Sequence, residues 1–318
     1  MGSPSLKDLS LFRYNEMRVE TMIRKALSRG ILLAWASNLC FSGYIAKFDH
    51  DSKIVFSSNF EGNADIYLLT RNQLMKLTDD PATDEWPVPD SKGESIVFTS
   101  NRSGNFDVYL MNLKTRDIKR LTDDSRDEVS PSWSADDRFV YYDIKTGRSS
   151  GQTMKLDIGS GRSLPLFPEV PYKNTIVPFE NRRGDEIFFT AKALMGWFVA
   201  KYNVPDGKFT KLTESGSCRP KVSPDGKKIA YVCFDDDGLG DIFMMNSDGS
   251  QKTNLTKNRS YSYDYYPCFS PKGDMIVFSS SPKNQKKTGY QLYTLDLQGG
   301  EVKRIFASDG NNSFPYWF

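Results

Sequence analysis

The sequence predicts an all-β protein, a six-bladed β-propeller of four-stranded antiparallel blades whose ring is closed by the C-terminal strand. One basis is composition: aromatic residues make up 13% of the 318 residues, and 23 Gly and 16 Pro accompany them. That mixture suits many short strands joined by turns. The other basis is a strand-turn-strand motif, clearest at residues 219–234, where Pro224, Asp225 and Gly226 form the turn.

The motif recurs at regular intervals along the chain. The residue that ends the inner strand of each unit, just before the turn, returns every 41 to 48 residues. These markers are Phe48, Pro89, Trp133, Phe179, Val222, Phe269 and Trp317. A period in this range with several strands per unit is typical of a propeller and not of a helical solenoid. Six complete units fit between the markers.

Each unit contains material for four strands. After the turn come an apolar strand such as 54–56, a loop with Gly and Asp, a third strand such as 66–68, and an outer strand that ends in Leu-Thr in four units. The third unit is degraded at its outer end, and the fourth has lost the proline of its turn. The expected blades are residues 44–81, 82–126, 127–170, 171–215, 216–260 and 261–308.

Residues 309–318 resemble one more inner strand with no blade after it. A ring of blades must close on itself or leave an exposed strand edge. We therefore expect this segment to dock on blade one as the closing strand. Because residues 44–48 are also a candidate inner strand of blade one, we expect the C-terminal strand to lie beside them.

Residues 1–43 precede the propeller domain of residues 44–318 and resemble a basic segment followed by a signal peptide. Residues 31–46 carry no charge, and Arg24, Lys25 and Arg29 stand just before them. The apolar run is too short and too polar to span a bilayer comfortably, so no stable transmembrane anchor is expected. The alternative is an amphipathic helix over about residues 5–29, ended by Gly30.

Charge and residue inventory exclude several classes of function. The net charge of +2 does not show the excess of basic residues that is typical of proteins that bind nucleic acid. His50 is the only histidine and the four cysteines lack Cys-x-x-Cys spacing, so a Cys/His zinc site is not expected. Residues 147–151 match the Gly-x-Ser-x-Gly elbow of hydrolases, but no helix is expected after them and no histidine follows in the chain. The sequence therefore favours a protein that is not an enzyme and uses no cofactor.

One loop has the composition of a calcium site. Asp235, Asp237 and Asp241 stand close together, and clustered carboxylates suit that ion. The same loop also aligns with the Gly-x-x-Asp loops of blades one and two, which explains its aspartates as part of the repeat. Both interpretations are open.

Cys218 and Cys233 flank the turn at residues 224–226. If the register that sets Val222 opposite Ile229 continues without interruption, Cys218 lies opposite Cys233. A disulfide is then possible, and two separate thiols are the alternative.

The strongest candidate for a binding site is positional. Inner strands line the central channel of a propeller, so the residues that begin them form a ring at one mouth. Three positions before the inner-strand proline, the chain has Asp84, Glu128, Ser217, Asp264 and Asn312, with Asn174 as the candidate of blade four. Aromatic and basic neighbours are Trp86, Arg219, Tyr265 and Tyr266. Such a ring could receive a peptide, a sugar or a cation, or it could only cap the starts of the strands.

These units resemble the TolB-like, tricorn-type propeller repeat, with its Pro-x-aromatic-Ser-Pro-Asp-Gly, Gly-x-x-Asp-Ile-Tyr and Leu-Thr signatures, over residues 44–318. Residues 1–43 cannot supply the α/β domain that precedes the TolB propeller. The resemblance implies an exported, periplasmic protein-protein interaction module, here expected to be monomeric, that captures a cell-envelope partner at the channel mouth. The alternative is a carbohydrate-active or sugar-binding propeller similar to oligogalacturonate lyases, which use several histidines where this chain has one.

Overall fold

The computed structural model describes residues 52–147, 150–167, 169–234, 238–257, 262–282 and 289–318. Over these residues the protein is all-β, with 24 strands in six four-stranded antiparallel sheets and no helix. The predicted six-bladed propeller is confirmed. The signal-peptide prediction concerns residues 1–43, which lie outside the described residues. Cys40 and His50 lie outside them as well. No helix in the described part of the chain combines the length and apolarity that crossing a bilayer requires.

Each blade runs outward from the channel. The strands of blade one, from the channel outward, are β24 (Asn312–Trp317), β1 (Lys53–Ser58), β2 (Asp65–Thr70) and β3 (Leu74–Lys76). Blade two consists of β4 (Asp84–Pro89), β5 (Ser95–Ser100), β6 (Asp107–Asn112) and β7 (Ile118–Arg120). Blade three consists of β8 (Glu128–Trp133), β9 (Phe139–Gly147), β10 (Ser150–Asp157) and β11 (Arg162–Pro165).

The other three blades follow the same order. Blade four consists of β12 (Asn174–Glu180), β13 (Glu186–Ala193), β14 (Gly196–Asn203) and β15 (Lys208–Lys211). Blade five consists of β16 (Ser217–Val222), β17 (Lys228–Phe234), β18 (Gly240–Asn246) and β19 (Thr253–Asn254). Blade six consists of β20 (Ser262–Phe269), β21 (Met275–Pro282), β22 (Gln291–Asp296) and β23 (Val302–Phe306). The six markers from Pro89 to Trp317 all lie at or next to the end of an inner strand.

The C-terminal strand closes the ring, as predicted, but its place in blade one differs from the expectation. β24 is itself the inner strand: Trp317 pairs with Ile54, and Lys53 and Phe318 exchange two backbone hydrogen bonds of 2.9 Å. The other edge of β1 pairs with β2. Both edges of β1 are therefore occupied by described strands; residues 44–48 lie outside the described residues.

The second strand of each blade forms the centre of the core. Val55, Phe98, Phe188 and Phe278 have no exposed surface, because each sheet packs between two neighbouring blades and buries both of its faces. The Leu-Thr ends of the outer strands hold the third strands. Thr78 Oγ1, for example, accepts a 2.9 Å hydrogen bond from the backbone N–H of Ile66. Thr122, Thr213 and Thr256 make the equivalent bond in their own blades.

Candidate functional site

Every inner strand is interrupted at the same place by a shift in register. The residue at the interruption has left-handed backbone angles and precedes a proline in all six blades. These residues are Trp86, Ser130, Val177, Arg219, Tyr266 and Phe314, with φ between 54° and 58°. Left-handed angles cost a non-glycine residue about 1–2 kcal/mol. Bulges redirect side chains, and all six of these residues line the centre of the channel.

The channel has three parts. The constriction, a space of about 50 Å³, is lined by the six bulge residues together with residues such as Lys221 and Tyr316. The wide mouth, about 1070 Å³, opens from it on the side where the inner strands begin. The turn-side mouth, about 300 Å³, opens on the side of the Pro-Asp-Gly turns. The wide mouth is therefore the only one of these three cavities that offers room for several residues of a bound chain.

Aromatic rings cover one side of the channel wall. Trp86 stacks on Phe314 with ring centroids 4.4 Å apart, and Tyr266 lies 4.3 Å from Phe314. Blades three and four contribute the small side chains of Ser130 and Val177 at the equivalent positions. The wall is therefore asymmetric, with an apolar, stacking half that continues to the edge of the wide mouth.

Arg219 lies in the middle of this aromatic half. The centre of its guanidinium is 5.0 Å from the Tyr266 ring, 5.6 Å from Tyr265 and 5.8 Å from Trp86. Its Nη1 lies 3.5 Å from Sγ of Cys218. Arginine keeps its charge in proteins, so these rings hold a permanent cation.

Lys221 places a second cation on the same inner strand, at the junction of the constriction and the turn-side mouth. Its Nζ lies 4.2 Å from the Phe179 ring and 4.9 Å from the Tyr316 ring. Burial lowers the pKa of Lys221 to about 8, because removing the ammonium group from water disfavours its charged form.

Asp143, on β9, contributes a buried carboxyl to the wall of the wide mouth. Burial raises the pKa of Asp143 to about 8, so the group is protonated near neutral pH. The hydrogen bonds fit that state. Thr153 has one hydroxyl proton to donate. Its Oγ1 lies 2.9 Å from the carbonyl oxygen of Thr175 and 3.1 Å from Oδ1 of Asp143. If Thr153 donates to Thr175, the protonated carboxyl donates to Thr153.

A hairpin with an apolar tip stands at the rim of the wide mouth. β13 and β14 are joined through Leu194 and Met195, and both side chains are almost fully exposed. Met195 and Trp197 line the mouth, and Nζ of Lys192 lies 5.2 Å from the Trp197 ring. Large apolar side chains exposed at a loop tip are typical of contact surfaces.

The structure divides the predicted ring residues into two groups. Trp86, Arg219, Tyr265 and Tyr266 line the wide mouth. The others are buried within the blades and do not line it; they are Asp84, Glu128, Ser217, Asp264 and Asn312. The equivalent of these five in blade four is Thr175, three positions before Pro178, and not Asn174.

Two of the buried residues show why the second group does not reach the channel. Both carboxylate oxygens of Asp84 lie 3.0 Å from Nη2 of Arg102. Asn312 accepts a 2.6 Å hydrogen bond from the hydroxyl of Ser58 across the strand pair that closes the ring. Each of them lies two positions before the bulge residue of its strand, where uninterrupted alternation would place both side chains on one face. The shift in register at the bulge separates them.

The predicted pairing of Cys218 with Cys233 is wrong by one position. The bulge at Arg219 shifts the register, so Cys233 pairs with Ser217 and Cys218 pairs with Val232. The two cysteines therefore lie on opposite faces of blade five, and the structure holds both as thiols.

The two remaining motifs lie partly outside the described residues. Of the calcium candidate, Asp235 and Asp237 are outside them. The carboxylate of Asp241 is bonded within its blade, 2.7 Å from Nδ2 of Asn254 and 3.3 Å from Oγ1 of Thr256. In the Gly-x-Ser-x-Gly match, Gly147 ends β9 and Gly151 lies in β10, so the motif sits at a β-hairpin.

Comparison with known proteins agrees with the repeat. A sequence model described as the TolB beta propeller domain matches residues 46–167. The Tol-Pal system protein TolB of Francisella tularensis subsp. tularensis (strain WY96-3418) is 24% identical over 229 residues, which cover 69% of this chain and 52% of that protein. A relative from subsp. mediasiatica (strain FSC147) has the same values. The chain spans about half the length of the curated relatives it matches. The predicted TolB-like propeller repeat is confirmed.

Solved structures share the fold. TolB from Acinetobacter baumannii superposes with a TM-score of 0.73 at 18% identity, over 87% of this chain and 68% of that chain. Putative TolB from Agrobacterium tumefaciens gives 0.65 at 17% identity, over 84% and 98%. Oligogalacturonate lyase from Vibrio parahaemolyticus gives 0.52 at 14% identity, over 82% and 74%. At these identities the likeness extends to the fold alone.

Proposed function

We propose that this chain, whose blades are TolB-like propeller repeats, is an exported, non-enzymatic binding protein that takes an extended segment of a cell-envelope protein into its wide mouth. The observation that carries the proposal is the group of aromatic rings around Arg219. Trp, Tyr and Arg are the residue types most enriched where protein interfaces concentrate their binding energy. Here the three types converge on one concave surface.

The dimensions of the channel favour an extended segment over a folded domain. The wide mouth, about 1070 Å³, has room for a few residues, whereas the constriction offers only about 50 Å³. A segment would therefore enter from the wide side and end, or turn back, at the constriction. Stacking rings supply affinity without fixing a sequence, as in many peptide-binding clefts.

The rim hairpin gives the partner a second point of contact. Leu194 and Met195 extend beside the wide mouth and are exposed to solvent in the chain alone. A partner whose segment occupies the mouth would cover them and remove apolar surface from water. Methionine adapts its shape to different partners, which suits this position.

The cellular setting rests on two observations. The relatives that match in sequence are named as Tol-Pal system proteins. The N-terminal residues resemble an export signal, with a basic stretch before an uncharged run. Together they support a place in the cell envelope, outside the cytoplasm, and a protein as the partner.

The test is selection of ligands against the whole chain. Peptides selected from a random display library are synthesised, and their affinity is measured by calorimetry for the natural protein and for Trp86→Ala and Tyr266→Ala. We expect each substitution to weaken binding at least tenfold, the usual size of a hot-spot effect. Lys119→Ala, an exposed residue on the outer strand β7, is the matched control and should bind normally.

The same experiment separates this function from a sugar-binding one, because aromatic rings also stack on sugars. Oligogalacturonides and neutral oligosaccharides are titrated in parallel. Peptide binding that is unaffected by both aromatic substitutions would contradict the proposal. Oligosaccharide binding that is lost in both variants, with no peptide selected, would replace it with the carbohydrate alternative.

A further inference from the structure

We propose that the constriction is a binding site for a small oxyanion, held between the guanidinium of Arg219 and the ammonium of Lys221. The site would take a carboxylate or phosphate group. It goes beyond the proposed function, since it needs no protein partner. If a peptide segment does enter the wide mouth, the site would also favour segments that present a carboxylate at their deepest point.

Arg219 and Lys221 are separated only by Pro220 on the inner strand of blade five, and both side chains line the constriction. The bulge brings this about: Arg219 has a φ of 56° and its N–H donates a 2.9 Å hydrogen bond to Oγ1 of Thr190 on the neighbouring blade. The backbone that aims the guanidinium is therefore fixed from two sides.

Within the described part of the chain, neither Arg219 nor Lys221 forms an ion pair. Arg219 contacts aromatic rings, the hydroxyl of Tyr266 and the sulfur of Cys218 at 3.5 Å. Lys221 contacts aromatic rings and faces the thiol of Cys268. Nε of Arg219 is buried and has no hydrogen-bond partner among the described residues. Both side chains are half-buried in the channel wall. A buried donor such as this Nε is hydrogen-bonded in the great majority of proteins.

No carboxylate is among the described residues that line the constriction. Asp143 and Glu85 line the wide mouth, and burial raises the pKa of both. On the turn side, Glu180 is engaged by the N–H of Ala135 at 2.6 Å and the hydroxyl of Tyr141 at 3.1 Å. Burial thus shifts both acids of the wide mouth toward their neutral forms. The other acids of the turn-side mouth, Asp90 and Asp137, accept hydrogen bonds from the backbone N–H groups of Glu94 and Ser91.

A space of about 50 Å³ accepts a carboxylate or a phosphate but no ring or long side chain. The planar guanidinium can give such a group two parallel hydrogen bonds, and the ammonium adds a point charge from the other side. A bound anion would also relieve the effect that burial has on the ammonium, so the pKa of Lys221 should rise when the site is filled.

The experiment uses the whole chain and defined anions. The melting temperature is measured at pH 7 in acetate, in inorganic phosphate and in chloride, all at one ionic strength, and the pKa of Lys221 is followed by NMR of lysine labelled with ¹³C at Cε. We expect acetate or phosphate, but not chloride, to raise the melting temperature and to raise the pKa of Lys221 above about 8. Whichever of the two anions acts identifies the chemistry.

Variants make the test specific. Lys221→Met and Arg219→Met should each lower the affinity for the anion, measured from how the melting temperature depends on anion concentration, at least tenfold. Lys303→Met is the matched control, because Lys303 lies on the outer strand β23, away from the channel, and pairs with Glu301 at 2.8 Å; it should respond as the natural protein does. An unchanged pKa of Lys221 at saturating anion, or equal responses in all variants, would overturn the proposal. Peptide binding in the preceding test is independent of either outcome.

Discussion

The backbone N–H of Val177 donates a 2.7 Å hydrogen bond to Oδ2 of Asp143, a residue of the neighbouring blade. This bond joins the bulge of blade four to the second strand of blade three. The bond from Arg219 to Thr190 does the same between blades five and four. The angles that direct side chains into the channel are therefore held by contacts between blades.

The first prediction concerns Asp143 and pH. Its folded pKa of about 8 lies above the ordinary value of 3.8, so between those two pH values the folded protein keeps a proton that the unfolded chain has lost. The free energy of unfolding should then fall as pH rises, by up to about 1.4 kcal/mol per pH unit from this group, and level off above about pH 8.

Urea unfolding of Asp143→Asn between pH 5 and pH 9 tests this. The amide preserves the shape and the acceptor for Val177 but cannot titrate, so its stability should depend less steeply on pH than that of the natural protein. Asp157→Asn, at a half-buried position on the same blade where the carboxylate pairs with Arg138, should keep the natural slope. Identical slopes for the natural protein and Asp143→Asn would show that Asp143 is charged in the fold.

The second prediction concerns Asp84, one of the residues expected to line the channel. Its buried carboxylate is bonded by Arg102, so Arg102→Ala would leave a charge in the interior without its partner. We expect a loss of about 3–5 kcal/mol in the free energy of unfolding. Arg138→Ala, which breaks an exposed pair with Asp157, should change it little. Comparable losses in the two variants would contradict a structural role for Asp84.

The third prediction concerns Gly240, which lies against the ring of Tyr265. A Cβ at this position would be 2.6 Å from Cε2 of Tyr265, so the ring must move. Gly240→Ala should lower the free energy of unfolding by about 1–3 kcal/mol. It should also weaken peptide binding, because Tyr265 is part of the wall around Arg219. Gly159→Ala is the control, since its Cβ meets only Oδ1 of Asp157, at 3.4 Å. Unchanged stability and binding in Gly240→Ala would show that Tyr265 is not held where the structure has it.

The fourth prediction concerns the cysteines of blade five. Because Cys218 and Cys233 lie on opposite faces of the sheet, intact-mass measurement of the unreduced protein should find no disulfide between them. A mass two hydrogens lower, with a peptide linking the two residues, would contradict the register of β16 and β17.

Much of the fold follows from the sequence. Turns and inner-strand ends recur with a period that, with several strands per unit, is typical of a propeller, and the unpartnered last strand could be assigned to blade one. Its exact neighbour could not, because residues 44–48 and 312–317 are both plausible inner strands by pattern. Pairing with β1 decides between them, and pairing is a long-range property.

The site could be predicted only in part. Position at the start of an inner strand places Trp86, Arg219 and Tyr265 at the channel, where the structure has them, but it also places the acids of the same ring there, because it takes every residue at a strand start to face the channel. One bulge per inner strand reverses which side chains face the channel, and the same bulge separates Cys218 from Cys233. The signal was present: the bulge residue precedes a proline in all six blades. Lys221, Asp143 and the Leu194-Met195 tip have no such repeated signal, because their significance depends on the blades around them.

The central claim, that the wide mouth receives the partner, is tested most directly by photo-crosslinking. A photoreactive amino acid at position 197, in the wall of the mouth, is compared with one at position 118, on the outer strand of blade two, using a selected peptide and then the cell envelope. We predict crosslinks to the ligand from position 197 and none from position 118. Crosslinks from position 118 alone would contradict the account and move the binding surface to the outside of the ring.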